Sequence, residues 1–152
     1  MSKLYFSYAA MNAGKSTLLL QASYNYLEGG MRTLLFTSAL YAEGGVGLIS
    51  SRIGISAEAE LYTDGDDLFA RIKDAAETSK VDCVFVDEAQ FLTKEQVYQL
   101  ARLVDEQDIP VIAYGLKTDF RGELFPGSYH LLCLADKFEE LKSICWCGCG
   151  LC

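Results

Sequence analysis

Gly14, Lys15 and Ser16 follow one another in "AAMNAGKSTLLLQ", residues 9–21, and Asp87 and Glu88 close the apolar run "VDCVFVDE". Both patterns point to phosphate chemistry. A glycine lets the backbone approach phosphates, amide N–H groups at a helix start face negative charge, a lysine reaches the terminal phosphates, and a hydroxyl suits magnesium. The phosphate-cradling pattern is Gly, four residues, then Gly-Lys and Ser or Thr. Gly14, Lys15 and Ser16 satisfy it, Ala9 stands where the first glycine belongs, and Ala10, Met11, Asn12 and Ala13 lie between. Thr17 is a supporting polar residue or part of the first helical turn. An aspartate at the end of a parallel strand is placed to help hold magnesium, which pairs Asp87 with Ser16. Glu88 faces the other way if the strand persists, where it takes a proton from a hydroxyl nucleophile or orients a water.

Positioning these residues requires strands that alternate with helices. "LYFSYA" reads as a strand, and Leu18, Leu19 and Ala22 recur at helical spacing after it. "RTLLFTS" is a second strand, "DDLFARIKDAAE" a helix and "VDCVFVDE" a strand. A helix follows from about Thr93 to Glu106, with Thr93 and Gln96 spaced as a capping box and Val97, Leu100 and Val104 on one face. "IPVIAYG" is the next strand and "YHLLCLA" reads as a fifth, which puts His130 at a strand edge without a role. Gly29-Gly30 and Gly44-Gly45 read as turns. Runs such as "CVFV" and "PVIAY" are apolar on both faces, as a parallel sheet covered on each side demands. The fold class is α/β.

The composition excludes several functions. The chain of 152 residues is 51% hydrophobic and 22% charged, which suits one domain with a real core. A net charge of −8 with no Lys/Arg cluster argues against a grip on nucleic acid. No run approaches the roughly 20 apolar residues of a membrane helix, and the start "MSKLYFSY" is unlike a secretory leader, so a cytoplasmic location is expected. Cys83 and Cys133 lie in apolar runs and read as inert core thiols. The other cysteines, Cys145, Cys147, Cys149 and Cys152, crowd into "CWCGCGLC", a metal site or a redox liability in a reducing compartment.

"YFSYAAMNAGKSTLLLQASYNY", "SSRIG", "VFVDEAQFLT" and "YGLKTDFRGELFPGS", in that order, resemble the type II thymidine kinases. The likeness runs over nearly the whole chain. It implies a RecA-like P-loop NTPase fold, with a parallel sheet between helices, and ATP-dependent phosphorylation of thymidine. Residues 1–143 would form the nucleoside kinase core and 144–152 a Cys-rich remnant of a zinc-bearing lasso segment. Carried over by position, Ala9, Ala10, Met11, Asn12, Ala13, Gly14, Lys15, Ser16 and Thr17 bind ATP together with Asp87, Glu88, Ala89 and Gln90. Asp87 belongs to the magnesium site, and Glu88 is the catalytic base on the 5′-hydroxyl. Met11, Phe91, Leu116 and Phe120 would form the thymine pocket, flat apolar walls that a thymine ring wants. Zinc would take Cys145 and Cys147, with Cys149 and Cys152 as substitutes for a second ligand pair. A homotetramer is implied, with thymidine and ATP as small-molecule partners.

The sequence departs from the family pattern at Ala9, at its ending on Cys152, and at Tyr41 and Glu43, which stand where the family carries an Asp-x-Arg. An acid near the reacting phosphates repels them where an arginine would stabilise the transition state, so Arg52 or Arg121 is a candidate substitute, an exposed salt bridge being the alternative. Two other functions stay open on these residues: a nucleotide-binding relative that no longer turns over, and a generic P-loop ATPase.

Overall fold

The computed structural model describes residues 2–9, 15–41, 47–50, 54, 56–119 and 121–141. Strand β1 (Leu4–Ala9) comes first and α1 (Lys15–Glu28) follows it. Next come β2 (Thr33–Ser38), a short antiparallel hairpin of β3 (Leu48–Ser50) and β4 (Ser56–Glu58), then β5 (Glu60–Tyr62) and α2 (Leu68–Thr78). The remaining elements are β6 (Cys83–Val86), α3 (Lys94–Gln107), β7 (Val111–Leu116), α4 (Pro126–Leu134) and β8 (Lys137–Leu141). Six strands form one sheet in the order β5-β2-β6-β7-β1-β8, every pair parallel. This is the expected α/β architecture, with β7 between β1 and β6.

The apolar runs divide between two faces. In β6, Val84 and Val86 enter one core with Leu68, Ile72, Leu100 and Leu131, while Cys83 and Phe85 enter a second with Leu19 and Leu20 of α1. Strand β7 repeats the division, Val111 and Ala113 against Ile112 and Tyr114. Successive side chains of a strand point to opposite faces, so a strand buried on both must be apolar throughout. Helix α3 seals its core with Val97, Leu100 and Val104, all buried. Its first turn carries the expected box: Gln96 N–H donates to Thr93 Oγ1 at 3.1 Å and Thr93 N–H donates to Gln96 Oε1 at 3.0 Å.

Three expectations are corrected here. "YHLLCLA" is not a strand but the body of α4, which opens on Pro126 at its first turn. Proline presets a helical φ, and a short apolar run does not by itself distinguish strand from helix. His130 therefore lies on a helix, edge-on to the Tyr129 ring at 5.0 Å between centroids. The sheet's last strand is instead "KFEEL", pairing Tyr5 with Lys137 through Ala9 with Leu141. Its first four residues are exposed, so it carries the charge of a sheet edge and no apolar alternation. Cys83 is buried as expected, but Cys133 is exposed.

Candidate active site

Asp87 and Glu88 sit just past the C-terminal end of β6. Asp87 is 4% exposed, and its N–H donates to the Phe36 carbonyl of β2 at 2.7 Å. Its Oδ2 accepts from Ser16 Oγ at 3.2 Å, and its Oδ1 accepts from the Glu88 N–H at 2.9 Å. The first bond joins residues 71 positions apart and draws the start of α1 to the end of β6.

Glu88 departs from the expected strand geometry. The strand stops at Val86, and Glu88 adopts φ 55°, ψ 39°, a left-handed conformation that precedes a single 3-10 turn, Ala89–Phe91. Such a conformation is uncommon outside glycine and persists only where its surroundings enforce it. Two side chains do so. Tyr62 Oη donates to the Glu88 carbonyl at 2.6 Å and lies 3.4 Å from that of Asp87. Burial first, then the negative charges of Glu88 and Asp87, push the Tyr62 hydroxyl far above its ordinary pKa, so it stays a donor. Gln90 Nε2 donates to Glu88 Oε2 at 2.7 Å.

A cleft of about 170 Å³ opens beside the two acids, lined by Ser16, Thr37, Ser38, Ile49, Asp87 and Glu88. Hydroxyls and carboxylates supply its polar wall, which are the hard oxygen donors magnesium takes. The apolar groove of about 370 Å³ between α1 and the hairpin, lined by Leu20, Tyr24, Leu27 and Ala57, touches neither acid.

Of the other expected site residues, Ala9 ends β1 and is buried, Thr17 is half-buried in the first turn of α1, and Ala89 and Gln90 are buried. Phe91 and Leu116 are half-buried, Phe91 edge-on to Phe125 with centroids 5.9 Å apart. Arg121 is exposed and its guanidinium lies 3.2 Å from Asp119 and 3.5 Å from Glu123, the salt-bridge arrangement. Lys15 opens α1, and of Lys15 and Tyr41 the backbone alone is described. Ala10, Met11, Asn12, Ala13, Gly14, Glu43, Arg52, Phe120, Cys145, Cys147, Cys149 and Cys152 lie outside the described residues. Among the described residues no group of three His, Cys, Asp or Glu side chains is arranged to hold a metal.

Tyr62, Thr37 and Ser38 had no signal as site residues. In "ELYTD" an aromatic residue reads as ordinary strand filling, and only the pairing of β5 with β2 carries its hydroxyl to Glu88.

A model of the thymidine kinase family matches residues 2–152. The thymidine kinase of Mesorhizobium japonicum is 61% identical over 148 residues, covering 97% of this chain and 73% of that protein. That of Ruegeria pomeroyi is also 61% identical over 148 residues, with 97% and 75% covered. A Legionella pneumophila thymidine kinase is 59% identical over 149 residues, with 97% and 71% covered.

Proposed function

The chain belongs to the thymidine kinase family, and from that premise we propose that it phosphorylates thymidine with ATP at the C-terminal edge of the sheet, using Ser16, Asp87, Glu88 and the segment ahead of α1. The observation that supports this assignment of residues is the 3.2 Å hydrogen bond between Ser16 and Asp87, with Glu88 next in the chain.

Phosphoryl transfer asks a protein mainly for position and charge neutralisation. Gly14 and Lys15, with the amide groups that open α1, cradle the ATP phosphates. Ser16 and Asp87 hold magnesium, whose chemistry when bound is neutralisation of phosphate charge. Thymidine lies against Phe91 and Leu116, together with Met11 and Phe120. Its 5′-oxygen forms the new bond to the γ-phosphorus as the bond to the ADP oxygen breaks, and Glu88 takes the hydroxyl proton. Zinc at Cys145 and Cys147 is part of the proposal on ligand chemistry alone, thiolates being what it takes. No helix among the described residues is long and apolar enough to cross a membrane, and a cytoplasmic homotetramer with its kinase core in residues 1–143 completes the reading.

The test is labelled thymidine with Mg-ATP. Thymidine monophosphate is the expected product; ATP binding without product would identify a silent relative, and phosphate release without thymidine an ATPase. Glu88→Gln should cost about 10²–10⁴ in rate, the usual contribution of a general base, while ATP affinity holds. Equal rates before and after would remove Glu88 from that role.

A further inference from the structure

We propose that Gln90 is a positioning residue, whose one amide sets the Glu88 carboxylate in register with the wall at Leu116. The proposal rests on the reading of Glu88 as base and Leu116 as nucleoside wall, and it goes beyond that reading in naming what holds the two together.

The side chain is 2% exposed, so both ends of its amide need partners within the protein. Each end has the partner it can serve. The Leu116 N–H can only donate, and it donates to Gln90 Oε1 at 3.1 Å; the Glu88 carboxylate accepts, and it accepts from Gln90 Nε2 at 2.7 Å. Reversing the amide would set donor against donor, so the Leu116 peptide dictates which atom faces the base. Leu116 is itself tied down on its other side, because Ser128 Oγ of α4 donates to its carbonyl. A continuous line of hydrogen bonds therefore runs from the carboxylate of Glu88 through Gln90 to the end of β7 and the first turn of α4.

Two glycines make room for this line. A Cβ on Gly115 would stand 2.8 Å from Gln90 Oε1 and 2.9 Å from Gln90 N. One on Gly127 would stand 2.5 Å from the Ala89 carbonyl oxygen and 2.8 Å from that of Gln90. The 3-10 turn that carries Gln90 is thus clamped between the end of β7 and the start of α4. A charge-assisted donor is the kind of bond that restricts a carboxylate about its side-chain torsions.

Gln90→Met removes the amide at similar volume, and Gln90→Glu keeps an acceptor for Leu116 while setting a carboxylate against Glu88. Gly115→Ala moves the amide without removing it. Each is assayed for kcat, for KM with thymidine, for ATP affinity by titration and for thermal unfolding, beside wild type and Glu88→Gln. The expected result is a fall in kcat of about 10²-fold in the folded variants, the cost of moving a reacting group by about 1 Å, with ATP dissociation constants within about twofold of wild type. A purely structural role would lower the unfolding temperature and leave kcat per folded molecule unchanged, which overturns the proposal. A loss carried by ATP affinity also overturns it, returning Gln90 to nucleotide contact. Should Glu88→Gln turn over at the wild-type rate, the base assignment fails in that arm; should Glu88→Gln be dead and every folded Gln90 and Gly115 variant fully active, the positioning role alone fails.

Discussion

Replacing Tyr62 by phenylalanine removes one hydroxyl from a buried ring and leaves the carbonyl of Glu88 facing it. That carbonyl accepts a hydrogen bond from the Tyr62 hydroxyl at 2.6 Å, and Tyr62 is 1% exposed, so water does not replace the lost donor without disturbing the core. The Phe91 N–H still donates to that carbonyl at 3.1 Å, so the loss is that of one hydrogen bond, about 0.5–1.5 kcal/mol, and for a chain of this length each kcal/mol lowers the unfolding temperature by about 2–4 °C. The variant should therefore melt about 1–6 °C below wild type by circular dichroism. The effect should reach the chemistry too. Glu88 holds φ 55° in part because its carbonyl is anchored, and release of the anchor lets the turn relax toward ordinary backbone, carrying the carboxylate with it. A fall in kcat of about tenfold, with ATP affinity unchanged, is expected on that account. An unfolding temperature within about 1 °C of wild type together with an unchanged kcat would refute the argument that this hydroxyl holds the turn.

Gly127→Ala should destabilise by about 1–3 kcal/mol, since its Cβ would meet the carbonyl oxygens of Ala89 and Gln90, backbone atoms that cannot move aside cheaply; a wild-type urea midpoint would contradict the close approach of α4. Stability should also decline in alkali. Burial pushes the Cys83 thiol from its ordinary 9.0 up to about 12, and burial, then Cys83 and Glu139, push the Tyr114 hydroxyl from 10.0 up to about 12. Below pH 9 both groups are protonated folded and unfolded, and the stabilisation is fully present. Above it the unfolded chain loses protons that the native chain keeps, at up to about 1.4 kcal/mol per pH unit for each group until about pH 12. Urea midpoints should fall between pH 9 and 11, less steeply in Cys83→Ala, and a flat profile would count against burial of these groups.

Local patterns were sufficient for the frame of this molecule. The capping box of α3 involves residues 93 to 96, and the apolar runs of β6 and β7 state that both faces of those strands are covered. Even the approach of Ser16 to Asp87 was legible, because a parallel α/β sheet gathers the C-terminal ends of its strands at one edge. Where local and tertiary signals conflicted, the sequence misled: six apolar residues in "YHLLCLA" suited strand and helix alike, while "KFEEL" joined the sheet on the strength of its neighbour β1.

Residue types and spacing alone determined the α/β class and singled out the neighbouring acids Asp87 and Glu88, since these depend on periodicity and on contiguous motifs. Tertiary structure decided how Glu88 is held: its left-handed backbone, the hydroxyl of Tyr62 and the amide of Gln90 that reaches Leu116. Tyr62 meets Glu88, and Gln90 meets Leu116, across 26 residues in each case. A hydrogen bond made at that separation depends on strand order and packing, which bring its two ends within 3 Å or so only after the whole sheet has formed.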